Sequence, residues 1–189
     1  MSADPTAEPA AFGREQSLSA LCAAGCAVLA LAIPLSVAAL WTLGSWPLLA
    51  LVRLVPPDLL PELRGDPQVW QRLIGAAICL VPATFVSYGL LRIRRSLLAF
   101  AGGEFFAARV VAGLKAYAGA NFWAAALSLI AVPVLAVTLT LANPTGHHEF
   151  TLDLSGAQVL NLLGAAILWV IASVMAKASD VARENEQFV

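Results

Sequence analysis

Charge is what this sequence of 189 residues has least of. Only 12% of its residues are Asp, Glu, Lys or Arg, against about 25% in an ordinary soluble domain. Hydrophobic residues make up 60% of the chain, and 11 basic residues nearly balance 12 acidic ones for a formal net charge of −1. A balance of this kind gives no overall attraction to nucleic acid. We therefore expect no direct nucleic-acid partner.

The shortage of charge is concentrated in four long apolar runs. The spans that these runs predict cover about 18–44, 70–91, 116–142 and 154–176. The hydrocarbon core of a bilayer is about 30 Å thick, so roughly 20 residues at 1.5 Å per residue cross it as a helix. Within lipid the backbone has to satisfy its own hydrogen bonds, which favours α-helices. The sequence predicts an all-α fold, a polytopic transmembrane four-helix bundle in contact with the lipid bilayer.

Cysteine and histidine are scarce too. Cys22, Cys26 and Cys79 all fall inside predicted spans, so no disulfide framework is indicated. Cys22 and Cys26 share a helix face at i, i+4, but no histidine or second cysteine pair accompanies them. His147 and His148 stand in a short polar loop, where a divalent metal, a response to pH or plain solvation are all open. We expect no bound metal and no cofactor.

Catalytic motifs are missing as well. The chain contains no glycine-rich phosphate loop, no nucleophile elbow and no HExxH sequence. The uncharged runs hold none of the ionisable residues on which proton relays and ion pathways depend. None of the polar connections is long enough for a soluble domain with its own core. We expect that the protein is not an enzyme.

The segments outside the spans differ in character. Residues 1–17, rich in proline, alanine and acidic residues, predict a disordered cytoplasmic tail before the transmembrane domain of residues 18–176. Residues 48–55 are apolar but too short to cross, and prolines bound them, which predicts a short interfacial helix after span one. Residues 177–189 form a polar cytoplasmic C-terminal tail of helical character.

Lysine and arginine are distributed unevenly between the two sides of the predicted bundle. If both termini are inside, eight basic residues flank the inner ends of the spans and three flank the outer ends. The inner set is Arg14, Arg92, Arg94, Arg95, Arg109, Lys115, Lys177 and Arg183, and the outer set is Arg53, Arg64 and Arg72. Because cytoplasmic loops carry the excess of Lys and Arg, we expect cytoplasmic termini. Trp41, Trp46 and Trp70 then lie at the outer interface, where indole rings prefer to lie.

Small residues at four-residue spacing predict where the spans pack, because they let helix backbones approach closely. Each span has one such ridge. The ridges are Cys22, Cys26, Ala30, Pro34 and Ala38, then Gly75, Cys79, Ala83 and Ser87, then Ala116, Ala120, Ala124 and Ser128, and finally Ala157, Asn161, Ala165, Trp169 and Ser173. A close-packed four-helix bundle fits these ridges. Asn121 and Asn161 are expected to form hydrogen bonds between helices.

Two charged segments remain as a candidate functional surface. The first is the basic linker after span two, which continues into Gly102-Gly103-Glu104-Phe105-Phe106. The second is the tail after span four, which ends in Phe188-Val189. We expect the two segments to form a surface that docks a partner. The candidate docking residues are Arg92, Arg94, Arg95, Glu104, Phe105, Arg183, Glu184 and Glu186.

These same segments carry a resemblance to a known family. The run from Leu91 through Gly103-Glu104-Phe105-Phe106, the last two spans and the Arg-Glu-Asn-Glu ending resemble the domain of unknown function 2975 family. Its members are small bacterial inner-membrane proteins with about four spans, and they often lie beside small helix-turn-helix regulators. The resemblance covers most of the chain after the first 17 residues. It implies a membrane-bound regulator in the bacterial inner membrane that controls such a partner.

The sequence therefore favours a non-enzymatic, regulatory inner-membrane protein. It would dock a cytoplasmic helix-turn-helix transcription regulator through its basic linker and acidic tail. An alternative stays open, a small transporter or channel subunit for a neutral solute, since a path lined by small residues needs no charge. A homo-oligomer is compatible with either interpretation.

Overall fold

The computed structural model describes residues 7–44, 68–103, 108–141 and 156–186, with side chains described over 16–44, 68–103, 108–141, 159–178 and at 181. These ranges contain four helices and no strands. The helices are α1 (Ala7–Leu43), α2 (Val69–Ala101), α3 (Ala108–Thr140) and α4 (Gly156–Glu186). Each includes a segment that is long and apolar enough to cross a membrane. The all-α, four-span architecture predicted from the uncharged runs is confirmed.

Each helix extends beyond its predicted span. The extension amounts to about ten residues, or about 15 Å at 1.5 Å per residue. It occurs at the start of α1 and α3 and at the end of α2 and α4. Since α1, α2 and α3 alternate in direction, their extensions lie at the same end of the bundle. We call this the basic end, because Arg92, Arg94, Arg95, Arg109 and Lys115 belong to it.

The helix boundaries include residues outside the predicted spans. α1 begins at Ala7, inside the stretch 1–17 that was expected to be disordered; alanine and glutamate favour helix, and Pro9 lies in the first turn, where proline is tolerated. The segment after span two continues as helix to Ala101, and Gly102 and Gly103 form the turn at the end of α2. The interfacial helix expected at 48–55 lies outside the described residues.

Packing is extensive between helices that follow one another in the chain, α1 on α2, α2 on α3 and α3 on α4. Hydrogen bonds fix the antiparallel register of the first three. The Ser19 hydroxyl donates to the carbonyl of Leu97 at 2.6 Å. Near the other end, the Gln71 amide nitrogen donates to the carbonyls of Thr138 and Leu139, each at 3.1 Å. Gln71 is only 1% exposed, so both bonds are made in a water-free environment.

A tryptophan occupies the centre of the apolar core. Trp41 is 1% exposed and clusters with Val37, Cys79, Leu135 and Leu139. Trp41 lies close to the end of α1 and its ring faces protein, so its position at the outer interface stays a prediction. Its ring fits against α2 because the facing residue is a glycine, and a Cβ there would overlap the indole.

The predicted packing ridge holds for α2 and only in part for α1, where Ala30 is buried. Gly75, Cys79, Ala83 and Ser87 are all buried as expected. In α1, however, Cys22 is exposed and Cys26 only half-buried. The buried side chains of α1 are Ala23, Ala30, Val37 and Trp41. Ala23, Ala30 and Val37 recur every seven residues, and Trp41 follows four residues later. This spacing is that of a left-handed helix pair, in which contacts recur every 3.5 residues rather than every four.

Candidate functional site

Three arginines line one cleft where α2 and α3 meet at the basic end. Arg92 and Arg95 come from α2 and Arg109 from the start of α3. The other described lining residues are Leu98, Ala99, Ala112 and Gly113, so the charged side chains among the described lining are all positive. The volume of this arginine cleft is about 550 Å³. Guanidinium groups present planar arrays of donors that match carboxylates and phosphates.

A close contact between backbones sets the spacing of these arginines. The Ser96 hydroxyl donates to the carbonyl of Val110 at 3.1 Å. A Cβ at Gly113 would overlap that same hydroxyl, so the two helices approach here as closely as a glycine allows. Arg95 precedes Ser96 and Arg109 precedes Val110, so this one contact brings both arginines to the cleft.

The Arg92 side chain is oriented by its own helix. Its Nε–H donates to the hydroxyl of Tyr88 at 2.9 Å, and its guanidinium carbon lies 5.0 Å from the centre of the Tyr88 ring. The four-residue spacing puts the two side chains on one helix face. The cation–π contact and the hydrogen bond together restrict the guanidinium to the mouth of the cleft.

Arg94, the third arginine predicted for docking, is not among the residues that line the cleft. Its Nε is buried and has no hydrogen-bond partner among the described residues. An unpaired buried donor of this kind costs roughly 1–3 kcal/mol. Arg94 is thus a second cationic group at the basic end, separate from the cleft.

Sequence reasoning missed Arg109 as a site residue. It was counted only as a flanking positive charge, although the structure places it with Arg92 and Arg95 in the cleft. The available signal was the turn at Gly102-Gly103, which folds α3 back along α2 so that Arg109 returns toward Arg95. Helical spacing alone cannot show this, since Arg95 and Arg109 belong to different helices.

The other predicted docking residues are only partly described. Arg183, Glu184 and Glu186 belong to the last turns of α4, but their side chains lie outside the described residues. Glu104 and Phe105 lie in the connection between α2 and α3, which is also outside the described residues. The structure therefore brings Arg92 and Arg95 together and leaves the remaining five untested.

A second cavity lies midway along the helices. This midspan cavity has a volume of about 570 Å³ and is lined by all four helices. α1 contributes Ile33 and Val37, and α2 contributes residues from the segment 79–86, among them Pro82. Most of the lining is apolar. Its polar residues carry no charge and are Cys79, Tyr117, Asn121, Ser128 and Asn161.

The polar side chains of the midspan cavity differ in how they are satisfied. The Asn121 amide nitrogen donates to the Tyr117 carbonyl at 3.0 Å, and the Ser128 hydroxyl donates to the Ala125 carbonyl at 2.7 Å. The Asn161 side chain makes no hydrogen bond to any described residue. The interhelical hydrogen bonds expected of Asn121 and Asn161 are therefore absent from the described part of the chain.

The end of the bundle opposite the basic end is tightly packed. Trp41, Leu135 and Leu139 are each at most 2% exposed and belong to one cluster with Val37 and Cys79. Because Val37 and Cys79 also line the midspan cavity, the cluster closes the cavity between α1, α2 and α3. The cavity is therefore closed toward this end between α1, α2 and α3.

A family model matches this chain. Its description is "Protein of unknown function (DUF2975)", and the match covers residues 46–189, which include α2, α3 and α4. No protein with a curated description matches the chain. No solved structure matches it either. Since the matched range holds well over half of the residues and includes the arginine cleft, the chain belongs to the DUF2975 family of proteins of unknown function.

Proposed function

We propose that this protein is a non-enzymatic regulatory protein of the bacterial inner membrane that docks an acidic cytoplasmic partner at its basic end. The observation that carries the proposal is the convergence of Arg92, Arg95 and Arg109 on one cleft, whose described lining residues include no acidic side chain. Positive charge gathered from two helices at a single point is typical of a surface that binds carboxylates or phosphates.

The helical extensions support docking outside the lipid. The three arginines lie beyond the uncharged runs, on parts of α2 and α3 that extend about 15 Å past the predicted spans. A partner can therefore reach them from water. By the positive-inside rule we assign this end to the cytoplasm. Arg183, Glu184 and Glu186, on the last turns of α4, would add charges of both signs to the same surface.

A small helix-turn-helix transcription regulator is the partner we propose to test first. Such a protein would bind through acidic side chains. While it is held at the membrane it leaves its DNA site, and after release it can reach that site. Removing one partner of a desolvated polar contact across an interface lowers the binding free energy by about 2–5 kcal/mol. Reversing two cleft arginines should therefore weaken the complex at least about 30-fold.

The test compares charge reversal inside and beside the cleft. In Arg95→Glu/Arg109→Glu, the regulator should no longer copurify in mild detergent and the transcripts it controls should change. Lys115→Glu is the matched control, because Lys115 is exposed near the same end but does not line the cleft. If the double variant instead loses bound phospholipid and no protein, the cleft holds lipid headgroups. If wild type retains no protein and the reversal changes no transcript, the docking proposal fails.

Transport of a neutral solute is the second candidate, and the midspan cavity is the observation that favours it. A transporter should tolerate reversal of the cleft arginines. It should lose uptake when the cavity wall is enlarged, as in Ala124→Leu, because Ala124 lines the cavity. Uptake of small neutral solutes by vesicles containing the purified protein separates the two candidates.

A further inference from the structure

The midspan cavity has the properties of a binding site rather than of a packing defect. Its volume of about 570 Å³ falls in the range of small-molecule sites, roughly 300–1,000 Å³. The cavity is open on one side, since Leu160, Asn161 and Gly164 in its α4 wall are exposed. It is bordered by a few polar side chains within a mainly apolar wall, the composition typical of a ligand pocket.

Asn161 shows what the ligand must supply. Its amide offers two N–H donors and one carbonyl acceptor and has no partner among the described residues. Asn161 is exposed on the bundle, and in the hydrocarbon of a membrane an amide without a partner costs several kcal/mol. The amide of Asn121, on the facing helix, uses one of its donors for the Tyr117 carbonyl and keeps the other. Two amide N–H groups are thus available to a hydrogen-bond acceptor.

The absence of charge limits the ligand further. Among the described residues that line the midspan cavity, none is Asp, Glu, Lys, Arg or His. An ionic ligand placed there would have no countercharge at a depth where a charge is costly. The occupant is therefore neutral, and its remaining surface is apolar to match the wall.

The route into the cavity is sideways. α1 and α4 both border it. Among the described residues the extensive packing joins consecutive helices, so the α1–α4 side is the more open one. The Trp41 cluster blocks the cavity between α1, α2 and α3 toward the end opposite the basic end. A ligand that dissolves in the bilayer can enter between α1 and α4 without crossing water.

We propose that the midspan cavity binds a neutral, lipid-soluble carbonyl compound, whose oxygen accepts hydrogen bonds from Asn161 and Asn121. Such a molecule would diffuse within the bilayer and enter between α1 and α4. This proposal is independent of docking at the basic end, because the cavity and the arginine cleft share no residue.

Benzophenone and diphenylmethane are a matched pair of probes for this site. Both are neutral and apolar and carry two phenyl rings, but only benzophenone has a carbonyl acceptor. Illumination also attaches benzophenone covalently to neighbouring C–H groups, which locates its binding site by peptide mass spectrometry. The full-length protein in lipid nanodiscs should show saturable labelling on the cavity-lining segments of α2 and α4. Benzophenone should raise its melting temperature, whereas diphenylmethane should raise it much less.

Two variants test the cavity by chemistry and by shape. Asn161→Leu removes the free amide and should weaken benzophenone binding about tenfold, the loss expected for one or two net hydrogen bonds. Gly164→Leu should abolish saturable labelling, because Gly164 lines the cavity and a Cβ there meets only open space. Gly119→Leu is the matched control, since a Cβ at Gly119 also meets open space but Gly119 does not line the cavity.

The outcomes separate a specific site from ordinary lipid contact. Labelling that is saturable in wild type and Gly119→Leu but lost in Gly164→Leu supports the proposal. Equal labelling of lipid-facing residues such as Leu163 and Val174 in all variants would overturn it. Equal stabilisation by diphenylmethane would show that the wall binds any apolar molecule and that the asparagines play no part. Partner capture at the basic end should be the same in Gly164→Leu and wild type.

Discussion

At the scale of single residues, two glycines determine how closely α2 approaches its neighbours. Gly75 faces Trp41 of α1, and Gly113 of α3 faces the Ser96 hydroxyl of α2. Each contact lies at a different level of the bundle, so α2 is held near both of its ends. A side chain at either position would push two helices apart, whereas the same change at an open glycine would not.

Gly75→Ala should lower the stability of the bundle by about 1–3 kcal/mol, the usual cost of overpacking a filled core. The new methyl group would overlap the Trp41 ring, which is enclosed and cannot rotate away. Gly119→Ala should be neutral or stabilising, because its Cβ meets open space and alanine favours helix by about 1 kcal/mol. Denaturant unfolding of both variants in detergent micelles checks the comparison. Equal stability would show that Trp41 does not occupy the position described here.

The sequence allowed Gly75 to be predicted as a contact residue but not its partner. Small residues at four-residue spacing correctly predicted the buried face of α2. Trp41 was assigned to the interface because indole rings prefer that zone. Only the register between α1 and α2 shows that the ring meets a glycine. Arg109 was missed for the same reason, since pairing between helices is a property of the fold and not of spacing within one helix.

At the scale of the helices, α4 differs from the others in how little of it is covered. Its extensive packing is with α3 alone, and Ala165 and Ala172 are its buried side chains among those described. Leu160, Val170 and Val174 remain exposed, which suits contact with lipid. Two alanines seven residues apart make a narrow seam, so a change at either should loosen α4 selectively.

Ala172→Leu should weaken the attachment of α4, at a cost of about 1–3 kcal/mol, because Ala172 is fully buried and the added atoms have no room. Ala178→Leu introduces the same side chain at an exposed position of the same helix and should have little effect. The accessibility of α4 to limited proteolysis reports its detachment directly. If both variants are cleaved at the wild-type rate, the seam between α3 and α4 lies elsewhere.

The uncharged runs predicted the helices well but not their full length. A hydropathy pattern measures the part of a helix that lies in lipid. The turns beyond it, from 92 to 101 in α2 and from 108 to 115 in α3, carry charges and depend on packing between the two helices. The chain leaves α2 at the turn at Gly103, whose φ is +83°. The Ser96–Val110 hydrogen bond joins the last turns of α2 to the first turn of α3. The arginine cleft lies in the region that hydropathy leaves out.

At the scale of the whole molecule, the arrangement of the four helices fixes which parts share a compartment. The start of α1, the turn after α2 and the end of α4 should all face the cytoplasm. Single cysteines at Ser2, Gly103 and Gln187, in a background with Cys22, Cys26 and Cys79 replaced by Ala, should resist a membrane-impermeant thiol reagent in intact cells. Cysteines at Asp66 and Gly146 should react. Reaction at Gly103 from outside would show that the orientation is the opposite one and that the docking surface does not face the cytoplasm.

The buried position of the Trp41 ring has a consequence for the order in which the helices assemble in the membrane. A ribosome delivers α1 to the membrane first, yet the core around Trp41 also requires Leu135 and Leu139 of α3. About 100 residues separate these positions, so at 5–20 residues per second the indole waits about 5–20 s for its final neighbours. During that interval the indole can pack on Gly75 of α2, while the side of the ring that α3 will cover still faces lipid. The core around Trp41 is therefore completed only when the third helix has been inserted, and a chain interrupted before α3 leaves this core open.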